Sequence, residues 1–267
     1  MSRFERDTAP TPSGPGLYTA RMDTAWWIVN GPNGGYLAAV LLRAMQAELA
    51  DPERTPRSLT VHYLRPPGEG EVEIGVVVER SGRTVTNVTA RVSQEGKLQL
   101  LATAAFATTR GGPAFQDARM PEVPVPEDLP DGDPPQIRMH EQYDRRWLWG
   151  VSPGQEVPEG QPALCGGWIR LADPRPYDAA LIAALTDAWP PAVFQRRVRR
   201  TPGGSPTLEL TIHFRAHDRI TALAPEDWVL ARFVTRTARD GFVEEDGELW
   251  SRDGVLLAQS RQLAVLR

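Results

Sequence analysis

One carboxylate in this sequence has surroundings that suit a general base. Asp187 lies near the end of residues 177–189, a stretch of mostly small residues that reads as a helix and is stopped by Pro190 and Pro191. Alanines at i−3, i−4 and i−7 leave room beside its carboxylate, and the end of a helix disfavours an anion there. A helix-end carboxylate bonded to a nearby arginine is the other interpretation, and these observations leave both open.

The remaining reactive side chains indicate neither a metal nor a bound cofactor. Cys165 is the only cysteine, so no internal disulfide is available, and we interpret it as a small buried hydrophobic residue. His213 and His217 have the i,i+4 spacing that suits a metal on a helix, but His213 lies in a strand pattern. No Gly-x-Ser-x-Gly motif, dinucleotide fingerprint or phosphate-binding Walker loop occurs, which disfavours a serine hydrolase, a dinucleotide enzyme and a P-loop enzyme.

Composition excludes other classes. The net charge of −4 over 267 residues, without a block of like charge, gives no electrostatic reason to expect nucleic acid. The longest apolar run, residues 37–42, is too short to span a bilayer. The polar start of the chain lacks the apolar core of a signal peptide, and a single cysteine fits a reducing compartment, so we predict a cytoplasmic protein.

The elements that must position these residues begin with a buried helix. A turn cluster at residues 30–35 precedes residues 36–49, which are apolar nearly all round at their start and therefore predict a buried helix with Asn33 as its N-cap. Alternating residues then predict an antiparallel meander. Its strands are expected at residues 58–63, 72–80, 84–93 and 97–108.

The same order then returns. A helix at residues 177–189 is followed by predicted strands at 207–214, 228–239, 241–251 and 255–265. The segment 59–63, Leu-Thr-Val-His-Tyr, matches 210–214, Leu-Thr-Ile-His-Phe, at an offset of 151 positions, and the helices are offset by 141. Two features at similar offsets indicate duplication of one helix-plus-sheet unit. Strands at 147–151 and 163–171 are predicted on weaker patterns.

Composition divides the chain into four parts. Residues 1–16 are predicted to be a flexible leader, residues 17–109 the first unit, residues 110–136 a linker rich in Pro, Gly and Asp, and residues 137–267 the second unit.

At residues 31–39, 58–66 and 241–267 the sequence resembles TesB-type acyl-CoA thioesterases, and more closely their relatives known only as thioesterase-family proteins. The resemblance extends over residues 20–108 and 160–267. It implies an α+β fold called a double hotdog, in which two long helices are each wrapped by a curved antiparallel sheet. It also implies an acyl-CoA or acyl-carrier thioester as the substrate, and a homodimer is a further expectation.

The resemblance also implies a set of site residues. In the family an Asp late in the second helix, a Thr at the start of the next strand and a Gln on the last strand hold the attacking water, and Asp187, Thr207 and Gln262 occupy these positions. The flanking residues differ, so acyl specificity does not transfer. Asn33, Gly34 and Gly35 are expected at the substrate, where amides near the two glycines would stabilise an oxyanion by analogy with other hotdog proteins. Without the resemblance, Thr207 and Gln262 would be ordinary strand residues.

Thioester hydrolysis suits such a set. A thiol leaves with little protonation, so the reaction needs an oriented water, a group that accepts its proton and donors for the oxyanion. Two alternatives remain: a catalytically silent module that binds acyl-CoA or lipid, and a hotdog enoyl-thioester hydratase. The hydratase would need a His–Asp pair in its pocket, whereas His62 and His213 are predicted to point away from the apolar face.

Overall fold

An antiparallel sheet frames the protein in the computed structural model, which describes residues 1–132, 134–196 and 205–266. Its strands are β1 (Thr11–Gly14), β2 (Leu17–Met22), β3 (Thr55–Tyr63), β4 (Gly70–Ser81), β5 (Val85–Gln94), β6 (Lys97–Ala107), β7 (Tyr143–Trp149), β8 (Leu164–Leu171), β9 (Thr207–Phe214), β10 (Val229–Val234), β11 (Ala238–Arg239), β12 (Phe242–Ser251) and β13 (Leu256–Val265). The α-helices are α1 (Arg3–Thr8), α2 (Gly34–Leu49), α3 (Ala179–Leu185) and α4 (His217–Ala222).

The strand order shows the duplication. The sheet runs β1-β2-β4-β5-β6-β3-β9-β13-β12-β10-β8-β7, with β11 paired to β12, so the first and second halves of the chain meet where β3 pairs with β9. At the middle of that pair Thr60 faces Thr211, and their hydroxyl oxygens are 3.0 Å apart. These two residues are 151 positions apart, the offset at which the sequence repeats. The halves therefore join through equivalent strands.

Helix α2 is buried against the inner face of the sheet. Asn33 caps it as predicted, with its side-chain oxygen accepting a hydrogen bond from the Tyr36 amide at 3.0 Å. Burial on nearly every side agrees with its apolar sequence. Helix α2 also packs against α3, where a Cβ atom on Gly35 would lie only 2.5 Å from the carbonyl oxygen of Ala184. Glycine is thus required for the two helices to approach this closely.

Helix α3 is shorter than the sequence suggested. It begins after its N-cap, Asp178, and ends at Leu185, with Thr186 as its C-cap, rather than extending through residues 177–189. Asp187 therefore lies in a turn beyond the helix and not inside it. Pro190 and Pro191 follow closely, and the chain then forms a 3-10 helix at Ala192–Gln195.

The prediction of a flexible leader at residues 1–16 is wrong. Helix α1 lies within it, closed by a capping box in which Ser2 and Glu5 bond each other's backbone amides. Phe4 is buried in the core, and the Asp7 carboxylate accepts a hydrogen bond of 3.0 Å from the indole of Trp26. Apolar contacts therefore hold this segment on the first half, which a reading of its polar composition missed.

Residues 110–136 agree better with the predicted linker. In their described part they are irregular, apart from a 3-10 helix at Pro126–Asp128, and residue 133 lies outside the described residues. Met120, Val123 and Leu129 pack on an apolar cluster around Trp168 and Trp250 at the outer face of the second half. In the predicted second unit, residues 197–204 and residue 267 are likewise outside the description. Among the described helices, none has the length and apolarity needed to cross a bilayer.

Candidate active site

Asp187 meets the N-terminus of α2 across the interface between the two halves. One of its carboxylate oxygens, Oδ2, accepts hydrogen bonds from Asn33 Nδ2 at 2.9 Å and from the Gly35 amide at 3.1 Å. Asn33 Nδ2 also donates to the Asp187 carbonyl oxygen at 2.7 Å. Within the described residues no arginine bonds this carboxylate, so the interpretation of a helix-end ion pair does not fit.

Gln262 joins Asp187 to Thr207. Its side-chain nitrogen donates to Asp187 Oδ1 at 3.1 Å and also to the hydroxyl oxygen of Thr207. Thr207 starts β9 and Gln262 lies on the neighbouring strand β13, while Asp187 reaches them from the turn after α3. Because a carboxylate only accepts, the amide nitrogen must face it. The Thr207 hydroxyl then keeps its own hydrogen for another acceptor. The structure thus brings the three residues into one chain of contacts.

The surroundings of Asp187 tune its acidity. Burial raises the pKa of this carboxyl from 3.8 to about 6, although the hydrogen bonds from Gly35, Gln262 and Asn33 favour the charged form. The positive end of the α2 dipole also favours the anion, in contrast to the C-terminal end of α3. A carboxylate with a pKa close to neutrality is well matched to accept a proton from water.

Gly34 and Gly35, expected to supply amides for an oxyanion, lie against the Asp187 carboxylate. The Gly35 amide is already bonded to Asp187, so it does not point into free space as an oxyanion donor would. A Cβ atom on Gly34 would lie 2.9 Å from Asp187 Oδ2 and 3.2 Å from the hydroxyl of Tyr63, and that hydroxyl donates to the Gly34 carbonyl at 2.8 Å. The two glycines allow the start of α2 to approach the carboxylate.

Three further residues lie around this carboxylate that the sequence patterns did not single out. Tyr63 ends β3 on the same face as the buried Leu59 and Val61, and the Asp187 charge acts on it. Tyr143, on β7, is buried, its hydroxyl has no hydrogen-bond partner among the described residues, and burial and then the Asp187 charge raise its pKa. Glu245, on β12, faces the interior together with Val243. An acid in the apolar phase of a strand was the signal that could have revealed Glu245.

The other candidate residues lie apart from this chain of contacts. His62 and His213 are exposed on the outer face of the sheet, as their alternation predicted. Cys165 is fully buried, also as predicted, and burial raises the pKa of its thiol. His217 begins α4 rather than continuing a helix from His213. Across the described ranges, no group of three or more His, Cys, Asp or Glu residues is arranged to hold a metal ion.

Comparison with protein families covers both halves of the chain. Residues 23–109 match the acyl-CoA thioesterase N-terminal domain, and residues 117–266 match the acyl-CoA thioesterase C-terminal domain. No curated protein matches the chain.

Solved structures match over the whole length. A conserved protein of unknown function with hot dog fold from Alicyclobacillus acidocaldarius is 29% identical with a TM-score of 0.89, covering 100% of this chain and 98% of its own. A putative thioesterase II from Thermobifida fusca YX is also 29% identical, with a TM-score of 0.86 and the same coverage. At 21% identity, the acyl-CoA thioesterase II TesB2 from Mycobacterium marinum shares the fold, with a TM-score of 0.77 over 99% of this chain and 98% of its own. The predicted double hotdog is confirmed.

Proposed function

Because this chain belongs to the acyl-CoA thioesterase family, we propose that it hydrolyses acyl-CoA thioesters with a water molecule held by Asp187, Thr207 and Gln262. The observation that carries this proposal is the side-chain nitrogen of Gln262, which bonds Asp187 and Thr207 at once. Three polar groups from three separate elements are thereby joined by hydrogen bonds.

Each residue has a defined part in the proposed reaction. Asp187 accepts a proton from the water as its oxygen attacks the thioester carbonyl carbon. Gln262 holds the carboxylate, and the Thr207 hydroxyl, whose hydrogen is not used by Gln262, orients the water. The bond from carbon to sulfur then breaks, giving the free acid and the CoA thiolate, and the proton held by Asp187 passes to the thiolate or to solvent, which yields the thiol and restores the base. The positive end of α2 lies beside the site and favours the negative charge that develops.

The site geometry supports hydrolysis over the hydratase alternative. A hydratase needs a histidine paired with an acid in the pocket, and the two strand histidines, His62 and His213, lie on the exposed face. The described hydrogen bonds of Asp187 come from Asn33, Gly35 and Gln262, none of which can act as an acid–base partner as histidine does. The raised pKa of the buried Asp187 carboxyl, about 6, favours a base over a silent binding module.

The thiol that the substrate carries is either CoA or the thiol group of a carrier protein. A carrier-protein thioester presents the same reacting bond as an acyl-CoA, so both belong to it. A cytoplasmic location and a homodimer remain predictions, and light scattering over a range of concentrations tests the second.

A thiol-release assay over a panel of acyl-CoA esters tests the function. We expect CoA and the free acid in equal amounts from at least one member. Hydration of an enoyl-CoA without thiol release would instead indicate a hydratase. Binding of acyl-CoA without any turnover would indicate a silent module, and either result would refute hydrolysis.

A further inference from the structure

A second carboxyl group lies beside the catalytic set, on the neighbouring strand. Glu245 of β12 pairs directly with Gln262 of β13 in the antiparallel register. Residues that pair directly across antiparallel strands project to the same face, with Cβ atoms about 4.5–5.5 Å apart. Glu245 is 9% exposed and alternates with Glu244 and Asp246, which are less buried and project to the outer face. Its carboxyl therefore points towards the site.

Glu245 also holds the chain that follows Asp187. Its carboxyl oxygen Oε2 accepts a hydrogen bond from the backbone amide of Ala192, five residues after Asp187 and at the start of the 3-10 helix. One side chain thus links the strand next to Gln262 with the segment that carries the base. Substitution or ionisation of Glu245 must therefore affect both the position of Gln262 and the segment that carries Asp187.

The charges that face Glu245 oppose its ionisation. Asp187 approaches from the turn after α3, and Glu244 and Asp246 add negative charge from its own strand, although Asp246 is paired with Arg236 and Arg261. The Cys165 thiol on β8 lies within electrostatic range of Glu245, and the Arg145 guanidinium on β7 acts on the same thiol. The described ion pairs include none with Glu245. Burial, with the Asp187 charge added, raises the pKa of Glu245 to about 8.

We propose that Glu245 is a positioning residue that works as an uncharged carboxylic acid, holding the amide of Gln262 and the segment after Asp187 in place, and that its ionisation in alkaline solution suppresses thioester hydrolysis. The amide oxygen of Gln262 is directed away from Asp187 and Thr207, because the nitrogen serves both. In the proposed arrangement, the carboxyl hydrogen of Glu245 donates to that oxygen and fixes the amide's orientation. When hydroxide removes this proton, the donor is lost and a second negative charge faces the developing oxyanion.

Three variants test this inference, which rests on the proposed function. Glu245→Gln supplies a neutral donor at every pH, Glu245→Leu supplies none, and Glu248→Gln is the control, since Glu248 lies on the same strand at the outer face beside Arg232. The measurement is kcat/KM from pH 5 to pH 10, with the uncatalysed rate subtracted. We expect the wild-type rate to decline above a pH of about 8 and the Glu248→Gln profile to match it.

The two neutral variants, Glu245→Gln and Glu245→Leu, should then differ in their rates of hydrolysis at pH 7. Glu245→Gln should lose the alkaline decline, keep the acidic limb and rescue activity at pH 7, because it restores the donor. Glu245→Leu should be about 10- to 100-fold slower at pH 7, the cost of misplacing catalytic groups. An alkaline decline that persists in Glu245→Gln, or equal rates for the Gln and Leu variants, would overturn the proposal.

A readout without substrate distinguishes failure of this proposal from failure of the proposed function. Because the pKa of Glu245 is raised in the folded state, its cost to stability grows as pH rises from about 4.5 to about 8. The thermal midpoint of Glu245→Gln should therefore exceed that of the wild type by a margin that widens over this interval. A constant margin would show that Glu245 does not titrate there, whether or not any acyl-CoA is cleaved.

Discussion

Replacement of Asp187 by asparagine tests the proposed base most directly. The new amide keeps the shape of the carboxylate, and its oxygen can accept the bonds from Asn33 and Gly35. Its nitrogen would face Gln262, whose amide would turn so that its oxygen accepts from that nitrogen and from the Thr207 hydroxyl, while the Gln262 nitrogen donates to the Glu245 carboxyl in place of the original contact. The variant should therefore fold, but it cannot take a proton from water. We expect kcat to fall by about 10²–10⁴-fold, or about 3–5 kcal/mol of transition-state stabilisation.

The same substitution has an opposite effect on stability. Raising the Asp187 pKa from 3.8 to about 6 means that the folded protein holds this proton more tightly than the unfolded chain does. The ionised group therefore lowers the free energy of unfolding above a pH of about 6, and this cost disappears as pH falls below 3.8. Its upper limit is about 3 kcal/mol. Asp187→Asn should remove it, so the variant should be as stable as the wild type or more stable at pH 8.

Activity and stability of the Asp187→Asn variant are measured on the same preparation. Thiol release gives kcat, and urea unfolding at pH 5 and pH 8 gives the free energy of unfolding. Asp240→Asn is the control, because Asp240 is a largely exposed turn residue outside the polar set and asparagine tolerates its positive φ of 54°. Unimpaired hydrolysis by a folded Asp187→Asn variant would refute the role of Asp187. A loss of activity together with a loss of stability would instead indicate a structural role.

Three further outcomes are expected from the same contacts. The wild-type kcat/KM should rise through a pH of about 6 as Asp187 ionises, and a profile flat from pH 5 to pH 7 would contradict this. Thr207→Val and Gln262→Ala should lower kcat by about 10- to 100-fold each, and their double variant by less than the product; an additive double variant would show that they act separately. Gly35→Ala places a Cβ atom 2.5 Å from the Ala184 carbonyl and should cost about 1–3 kcal/mol of stability, whereas Gly111→Ala meets no atom within 4 Å and should cost little, as unfolding of the two variants would show.

Most of the sheet could be predicted because its signals are local. Alternation gave the strand at 207–214 without error, and tight turns at Glu95-Gly96 and Asp253-Gly254 lie between the strands predicted on either side of them. The duplication was visible because equivalent strands kept a similar pattern. Chain order and spacing also assigned three positions known from the family to Asp187, Thr207 and Gln262, and the fold brings these three residues together.

The parts that could not be predicted depend on contacts distant in sequence. Helix α1 has a polar composition and stays ordered through Phe4 and Asp7, whose partners are contributed by the core. The contact between Asn33 and Asp187 joins residues 154 positions apart, so its N-cap role was visible from local sequence while its bond to the carboxylate was not. The hydrogen bond from the Gly35 amide to the Asp187 carboxylate likewise depends on how α2 and α3 pack, which the local sequence does not show.

The register also accounts for a single proposed site in each chain despite the duplicated fold. Thr60 and Thr211 are equivalent positions of the two halves, and so are Leu59 and Leu210. On the neighbouring strands Leu59 pairs with Ala104 and Leu210 pairs with Gln262, so Ala104 and Gln262 are equivalent too. One strand further out, Glu245 corresponds to Val88.

The first half therefore has apolar residues where the second half has its amide and its inner carboxyl. Thr207 corresponds by the same offset of 151 to Pro56, which has no hydroxyl. At the other end of the helix pair, the N-cap of α3 is Asp178, and Arg43 from α2 bonds it at 3.0 Å while Arg175 bonds it at 2.7 Å. The equivalent helix junction thus holds an ion pair instead of a buried base. Hydrolysis needs a carboxylate free to take a proton, and only the Asp187 junction provides one among the described residues.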